Sequence, residues 1–190
     1  MIATHTSAWT LVDRVWTKTP ANALLRSVTL VLVGTLLLAI SAHIQVPFWP
    51  VKMSMQSFMV LALAAAYGSR LGMATVAAYL LEGALGLPVF QNGGGVANVT
   101  GPTAGYLIGF VLATWVVGSL SERGAIHSPL AAIGVFLLGD SIVMIFGTVW
   151  LATLIGFEKA LWGGFLIFLP AEAFKIALAA ALTRIKTRAI

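Results

Sequence analysis

The chain has 190 residues, of which 59% are hydrophobic and only 9% charged. Soluble domains carry about 25% charged residues, so this composition excludes an ordinary soluble domain and points to an integral membrane protein. There is no cysteine, which excludes disulfides and thiolate metal sites. The formal net charge of +5 comes from basic residues scattered at segment ends, not from a patch of the kind that binds nucleic acid.

The opening stretch, residues 1–23, lacks the compact apolar core of a signal peptide. It reads as a cytoplasmic N-terminal segment ahead of a single transmembrane domain, 24–190. Trp9, Val12 and Trp16 fall at helical spacing, with Arg14 and Lys18 off that stripe. That suits either an interfacial helix or a cytoplasmic tail with Trp at headgroup level.

Six apolar segments follow, near 24–44, 54–68, 71–87, 104–120, 129–155 and 161–184. The fold class is therefore an all-α integral membrane bundle of six transmembrane helices, each to be judged against the roughly 20 residues a span needs. Only "YGSRLG" separates the short second and third segments. They form a tight helical hairpin, with Gly68 and Gly72 as the breaks. The fifth segment is long enough to tilt.

Lys and Arg set the orientation. With the N-terminus inside, Arg14, Lys18, Arg26, Arg70, Arg123, Arg184, Lys186 and Arg188 lie on the cytoplasmic side. Only Lys52 and Lys159 lie outside, and Lys175 is in the membrane. The positive-inside rule selects this arrangement, with both termini cytoplasmic.

Three connections then face outward. "HIQVPFWPVKM", 43–53, is stiffened by its prolines. "GLPVFQNGGGVANVTGPTAGY", 86–106, has no charge and is rich in glycine and amides. It suits either a plain flexible connection or a loop folded over a cavity. The third is a short turn around Phe157–Ala160. At the end of the second connection, Pro102 fits the first position of the fourth helix. The free N–H groups of that helix start attract an anion such as a carboxylate.

Glu82, Asp140, Glu172 and Lys175 interrupt apolar segments. An ionised group at the centre of a spanning helix costs about 2.5–3.5 kcal/mol on insertion scales, so such groups need partners and often mark a substrate path. Glu172 and Lys175 stand at i and i+3 and share a helix face. Two readings stay open: an ion pair that only orients its helix, or a ligand clamp. As a clamp, the carboxylate would accept two N–H bonds and the ammonium would donate to a carbonyl, the complement of a urea-like group. Pro170, just above, is expected to open the helix toward a cavity. Asp140 is read as structural and Glu82 as a brace at a helix end. Phe48, Trp49, Trp150 and Trp162 suit the aromatic belt.

No P-loop, H-E-x-x-H or G-x-S-x-G motif occurs. The chain reads as a binder or carrier, not an enzyme, and implies no cofactor. A chain this small without an inverted repeat is an unusual secondary transporter and is expected to need partners that supply energy.

The motifs "VPFWPVKMSMQSF", "YGSRLG", "LEGALGLPVF", "GPTAGYLIGF", "GTVWL" and "FLPAEAFK", in this order, resemble the BioY family of biotin transporters. The likeness runs from about residue 40 to the C-terminus. It implies the substrate-binding S component of an energy-coupling factor (ECF) transporter: six helices, biotin held near the outer face, and uptake driven by a transmembrane coupling protein with two cytoplasmic ABC-type ATPases. In that scheme the S component topples in the lipid bilayer to release its ligand.

The family's last helix carries an Asp and, three residues on, a Lys. Lys175 matches the Lys, and Glu172 stands in the Asp position with one more methylene. Lys52 stands where the family usually has Pro. By this resemblance Glu172 and Lys175 take the ureido ring. Thr103, or the amides of Gln91, Asn92 and Asn98, take the carboxylate, and Gln56 and Tyr106 occupy family motif positions. S components dock through small residues of the first helix, which implies Gly34, Thr35 and Ala39 here, with Ala42 nearby. A homodimer is an option when the chain is alone. The alternative is a self-sufficient, proton-coupled vitamin carrier using Asp140 or Glu172 as its proton site.

Overall fold

A computed structural model describes residues 10, 12, 16, 19, 21–46, 53–126 and 128–188. Trp9, Arg14 and Lys18 of the N-terminal segment, and Phe48, Trp49 and Lys52 of the first outer connection, lie outside the described residues.

Apolar runs long enough to cross a bilayer satisfy their backbone internally as helices. Helix α1, Ala23–His43, is such a run. Its chain leaves the helix at Ile44 and enters a two-stranded antiparallel hairpin not expected from the sequence. Strand β1, Gln45–Val46, pairs with β2, Met53–Ser54, in the register Gln45↔Ser54 and Val46↔Met53. Helix α2, Gln56–Ala84, is broken at Gly68 (φ 80°, ψ −178°), a conformation that favours glycine. The break reverses the chain. Gln56 Nε2 lies 3.0 Å from Tyr79 Oη, although 23 residues of straight helix would hold them about 34 Å apart. The expected hairpin is present, with one break and not two. Gly72 sits inside the second arm, where its missing side chain makes room for Thr114.

The short helix α3, Val96–Thr100, belongs to the long connection. Helix α4, Ala104–Glu122, follows it. Thr103 is the residue that flanks α4, so Pro102 stands just outside the helix instead of opening it. Helix α5, Pro129–Ile155, begins with Ser128 Oγ accepting the Ala131 N–H at 3.2 Å. The expected last span is divided. A helix α6, Phe157–Gly164, and a 3-10 turn, Leu166–Phe168, precede α7, Leu169–Arg188. Pro170 falls in the first turn of α7, where its absent N–H costs nothing. It starts the helix and does not open it. Five described helical stretches are long and apolar enough to cross a membrane, the last running from α6 into α7; counting the two arms of α2 separately gives six segments.

The bundle is built on close approaches. α2 packs mainly on α4, α4 on α5, α1 on α2, and α5 on α6 and α7. Gly105 and Gly109 of α4 have small-xxx-small spacing and lie against the backbone of α5 at Phe146–Gly147 and Val143. At the turn of α2, Glu122 accepts the Ser69 N–H at 2.7 Å and its hydroxyl at 3.1 Å. Ser121 Oγ donates to Ala65 O at 2.7 Å. Leu38, Val60, Val76, Ala113, Val117, Phe136 and Val143 form the buried centre. Leu25, Leu32, Leu36 and Ile40 of α1 face outward, as lipid-facing side chains do.

This packing involves the small residues of α1. Gly34 and Thr35 do not present an open docking face. Both are buried, and a side chain at Gly34 would strike Thr75 and Tyr67 of α2. Their smallness serves contact within the chain, and Ala39 is half-buried beside them.

A Cβ at position 109 would stand 2.8 Å from Val143 Cα. Gly109→Val should therefore destabilise the bundle by about 1–3 kcal/mol, seen as a lower thermal midpoint in detergent. Gly134→Ala, where nothing lies within 4 Å, should leave the midpoint unchanged or raise it.

Candidate functional site

A cavity of about 280 Å³ opens at the end of the bundle that carries the β-hairpin and the long loop. Its floor is polar. Lys175 Nζ lies 2.7 Å from Glu172 Oε1 and donates to Ser57 Oγ at 3.0 Å. Ser57 Oγ in turn donates to Glu172 Oε2 at 3.1 Å. Glu172 is 5% exposed and Lys175 3%. Ions this deeply buried persist only when their lone pairs and protons find partners. The i, i+3 spacing on α7 brings the two charges together, and Ser57, on the first turn of α2, closes the triangle.

The triangle leaves chemistry unspent. An ammonium has three N–H donors, and Lys175 uses two among the described residues. The carboxylate has about four lone-pair sites, of which Lys175 and Ser57 use only part. The site can thus still donate to one carbonyl and accept from N–H groups.

Asp140 of α5 is also buried, at 6% exposure, with Glu172 and Lys175 as its charged neighbours. Its Oδ1 has no hydrogen-bond partner among the described residues.

The walls are apolar. Leu107, Phe110, Val143 and Met144 line them, with Phe168 and Tyr106 above. Tyr106 fills the space left by Gly147 and donates to Gly164 O at 2.6 Å. The Thr148 hydroxyl reaches the same oxygen at 3.3 Å. The carbonyl that ends α6 is thereby tied to α4 and α5. The Phe168 ring lies 6.4 Å from that of Tyr106.

The roof is the long loop together with the hairpin residues Met53 and Ser54. Gln91, Asn92 and Thr103 reach the cavity. The loop is pinned from below by a relay: the Gln56 amide donates to Tyr79 Oη at 3.0 Å, and that hydroxyl donates to Val89 O at 2.8 Å. Phe90 packs edge-on against Tyr79, their centroids 5.3 Å apart, in the space that Gly83 leaves. The Gly95 N–H reaches Gly83 O at 2.7 Å. Trp150 Nε1 anchors the far end of the loop on Gly101 O at 2.9 Å, a hydrogen-bonding role not foreseen for a belt aromatic.

Of the residues singled out in the sequence, Glu172, Lys175, Gln56, Gln91, Asn92, Thr103 and Tyr106 converge on this cavity. Asn98 does not. Its side-chain amide donates to Gly94 O at 2.8 Å, and its own carbonyl accepts from Thr103 Oγ1 at 3.1 Å, so it braces the loop from outside. Ser57 was missed. It stands inside the "MSMQSF" motif, but its 115-residue separation from Glu172 hides the contact.

These features define a multi-pass membrane protein with a partly polar cavity under a loop. The fold is shared with the crystal structure of the S-component for biotin from an ECF-type ABC transporter, at a TM-score of 0.76 and 24% identity, covering 90% of this chain and 95% of that one. The chain belongs to the BioY family, whose model matches residues 12–190. A "Biotin transporter BioY" of Thermotoga maritima is 38% identical over 77% of this chain and 86% of its own. A "Probable biotin transporter BioY" of Pyrococcus horikoshii is 35% identical over 81% of this chain and 91% of its own.

Removing one member of a buried ion pair costs about 3–5 kcal/mol, whereas replacing both by apolar groups is often neutral. Lys175→Ala should therefore lower the thermal midpoint in detergent more than the double variant Glu172→Leu, Lys175→Met.

Proposed function

We propose that this chain captures biotin on the outer side of the bacterial cytoplasmic membrane as the S component of an ECF-type transporter. The reading rests on one observation: the Glu172–Ser57–Lys175 triangle forms the floor of a cavity with apolar walls and an amide-bearing roof. Biotin's cyclic urea has two N–H donors and one carbonyl. Glu172 accepts the former, and the spare N–H of Lys175 donates to the latter. The ring and aliphatic chain lie along Phe110, Val143, Met144 and Phe168. The carboxylate end meets Asn92, Gln91 and Thr103 beneath the loop.

The excess of Lys and Arg at one face supports cytoplasmic termini, with residues 1–23 as a cytoplasmic segment and the cavity facing out. Release inward is the work of a transmembrane coupling protein and two cytoplasmic ATPases.

Purified protein should bind biotin saturably. Lys175→Ala should weaken binding at least about thirtyfold, since truncating one partner of a buried charged pair costs about 2–5 kcal/mol. Ser57→Ala should cost at least about tenfold, since its hydroxyl bonds to both charges that form the floor, and Asn98→Ala little. Titration with labelled biotin measures all three. Absence of saturable binding, or full affinity in Lys175→Ala, contradicts the reading.

Asp140 favours a second reading, a self-sufficient proton-coupled carrier, because its buried carboxyl adjoins the ligand pair with an oxygen unpartnered among the described residues. Uptake in cells lacking the coupling protein and ATPases, abolished by a protonophore and by Asp140→Asn, would support it. No uptake without those subunits would exclude it.

A further inference from the structure

The opposite end of the bundle carries a second cavity, of about 560 Å³, between α1 and the second arm of α2. Its shape follows from packing already described. The two helices touch where Gly34 meets Thr75 and separate toward the Gly68 turn. Tyr67 bridges the gap by donating to Leu30 O at 3.1 Å. The resulting groove has a long apolar wall, Val28, Val31, Leu32, Leu71 and Ala74, and a charged end with Arg26, Arg70 and Glu122.

The charges at that end are unequal in availability. The Glu122 carboxylate is occupied by the Ser69 N–H and hydroxyl. Arg26 is buried and donates through Nε to Trp16 O at 2.8 Å, so its guanidinium is already engaged. Arg70 is exposed and has no hydrogen bond or ion pair among the described residues. A guanidinium at the mouth of an apolar groove between spanning helices matches a phosphate-bearing headgroup with its acyl chain.

We propose that this groove binds one anionic phospholipid, its headgroup on Arg70 and one acyl chain along Val28, Leu32, Leu71 and Ala74. The site lies at the far end of the molecule from the ligand cavity and does not depend on which vitamin that cavity holds. Occupancy would fasten α1 to the α2 hairpin at the membrane face where that hairpin turns.

The test is native mass spectrometry of the purified protein with equal amounts of phosphatidylglycerol and phosphatidylcholine. The wild type should retain the anionic lipid several-fold over the zwitterionic one. Arg70→Gln should bring the ratio near one while its elution profile and lipid-free thermal midpoint stay unchanged. Ala74→Trp, which fills the exposed groove and leaves the charges in place, should remove tight retention of both lipids. Equal retention by the wild type, or an undiminished preference in Arg70→Gln, would overturn the proposal. So would a photo-crosslinker at position 74 that captures protein and no lipid in native membranes.

Discussion

A carboxylate and an ammonium held together inside a lipid-embedded bundle are the constraint around which the rest is arranged. Neither charge is tolerable alone at this depth. Their attraction offsets desolvation only with good geometry and added hydrogen bonds, and Ser57 supplies two of these. That requirement fixes more than α7. It places the first turn of α2 beside the last span, and the β-hairpin is what delivers α2 there: the Met55 N–H bonds to Ser41 O at 3.2 Å and Ile44 O at 3.0 Å.

Above the pair the molecule divides into a rigid wall and a pinned roof. The wall is made by helices brought close through glycine, so that Tyr106 occupies the gap at Gly147 and the chain end of α6 is tied across α4 and α5. The roof has little regular structure and hangs on a few polar contacts, Gln56–Tyr79–Val89 at one end and Trp150–Gly101 at the other. Segments held by few contacts open at the least free-energy cost. The loop is thus the part of this architecture best suited to admit a ligand, while the floor keeps its geometry.

Much of this was legible in the sequence. Hydropathy gives the six apolar segments because lipid demands them, and the spacing of Glu172 and Lys175 gives their shared face. Gly68 announces its turn through the short gap between two apolar runs. Other features were hidden for physical reasons. The break before α7 falls at Phe165, an ordinary apolar residue, with Gly163 and Gly164 as the only local hint. The hairpin strands are two residues each, too short for any period to show. Thr35 and Ala39 have the small-xxx-small spacing of a docking motif, yet small residues serve internal and external helix contacts equally. Asn98 and Asn92 are both loop amides, and only the folded loop decides which points to the cavity. Gln56, at a family motif position, lines the cavity while one of its two amide N–H groups holds Tyr79.

The decisive measurement is competition against labelled biotin by two analogues. Desthiobiotin keeps the cyclic urea and lacks the sulfur of the fused ring. 2-Thiobiotin keeps both rings and replaces the urea oxygen by sulfur, a weaker acceptor. A urea clamped between Glu172 and Lys175 predicts that desthiobiotin competes within about tenfold of biotin and that 2-thiobiotin is the poorer competitor by at least another tenfold, the worth of a hydrogen bond to a charged donor. The reverse order, with 2-thiobiotin as good as biotin, would show that the pair at the cavity floor does not hold the urea.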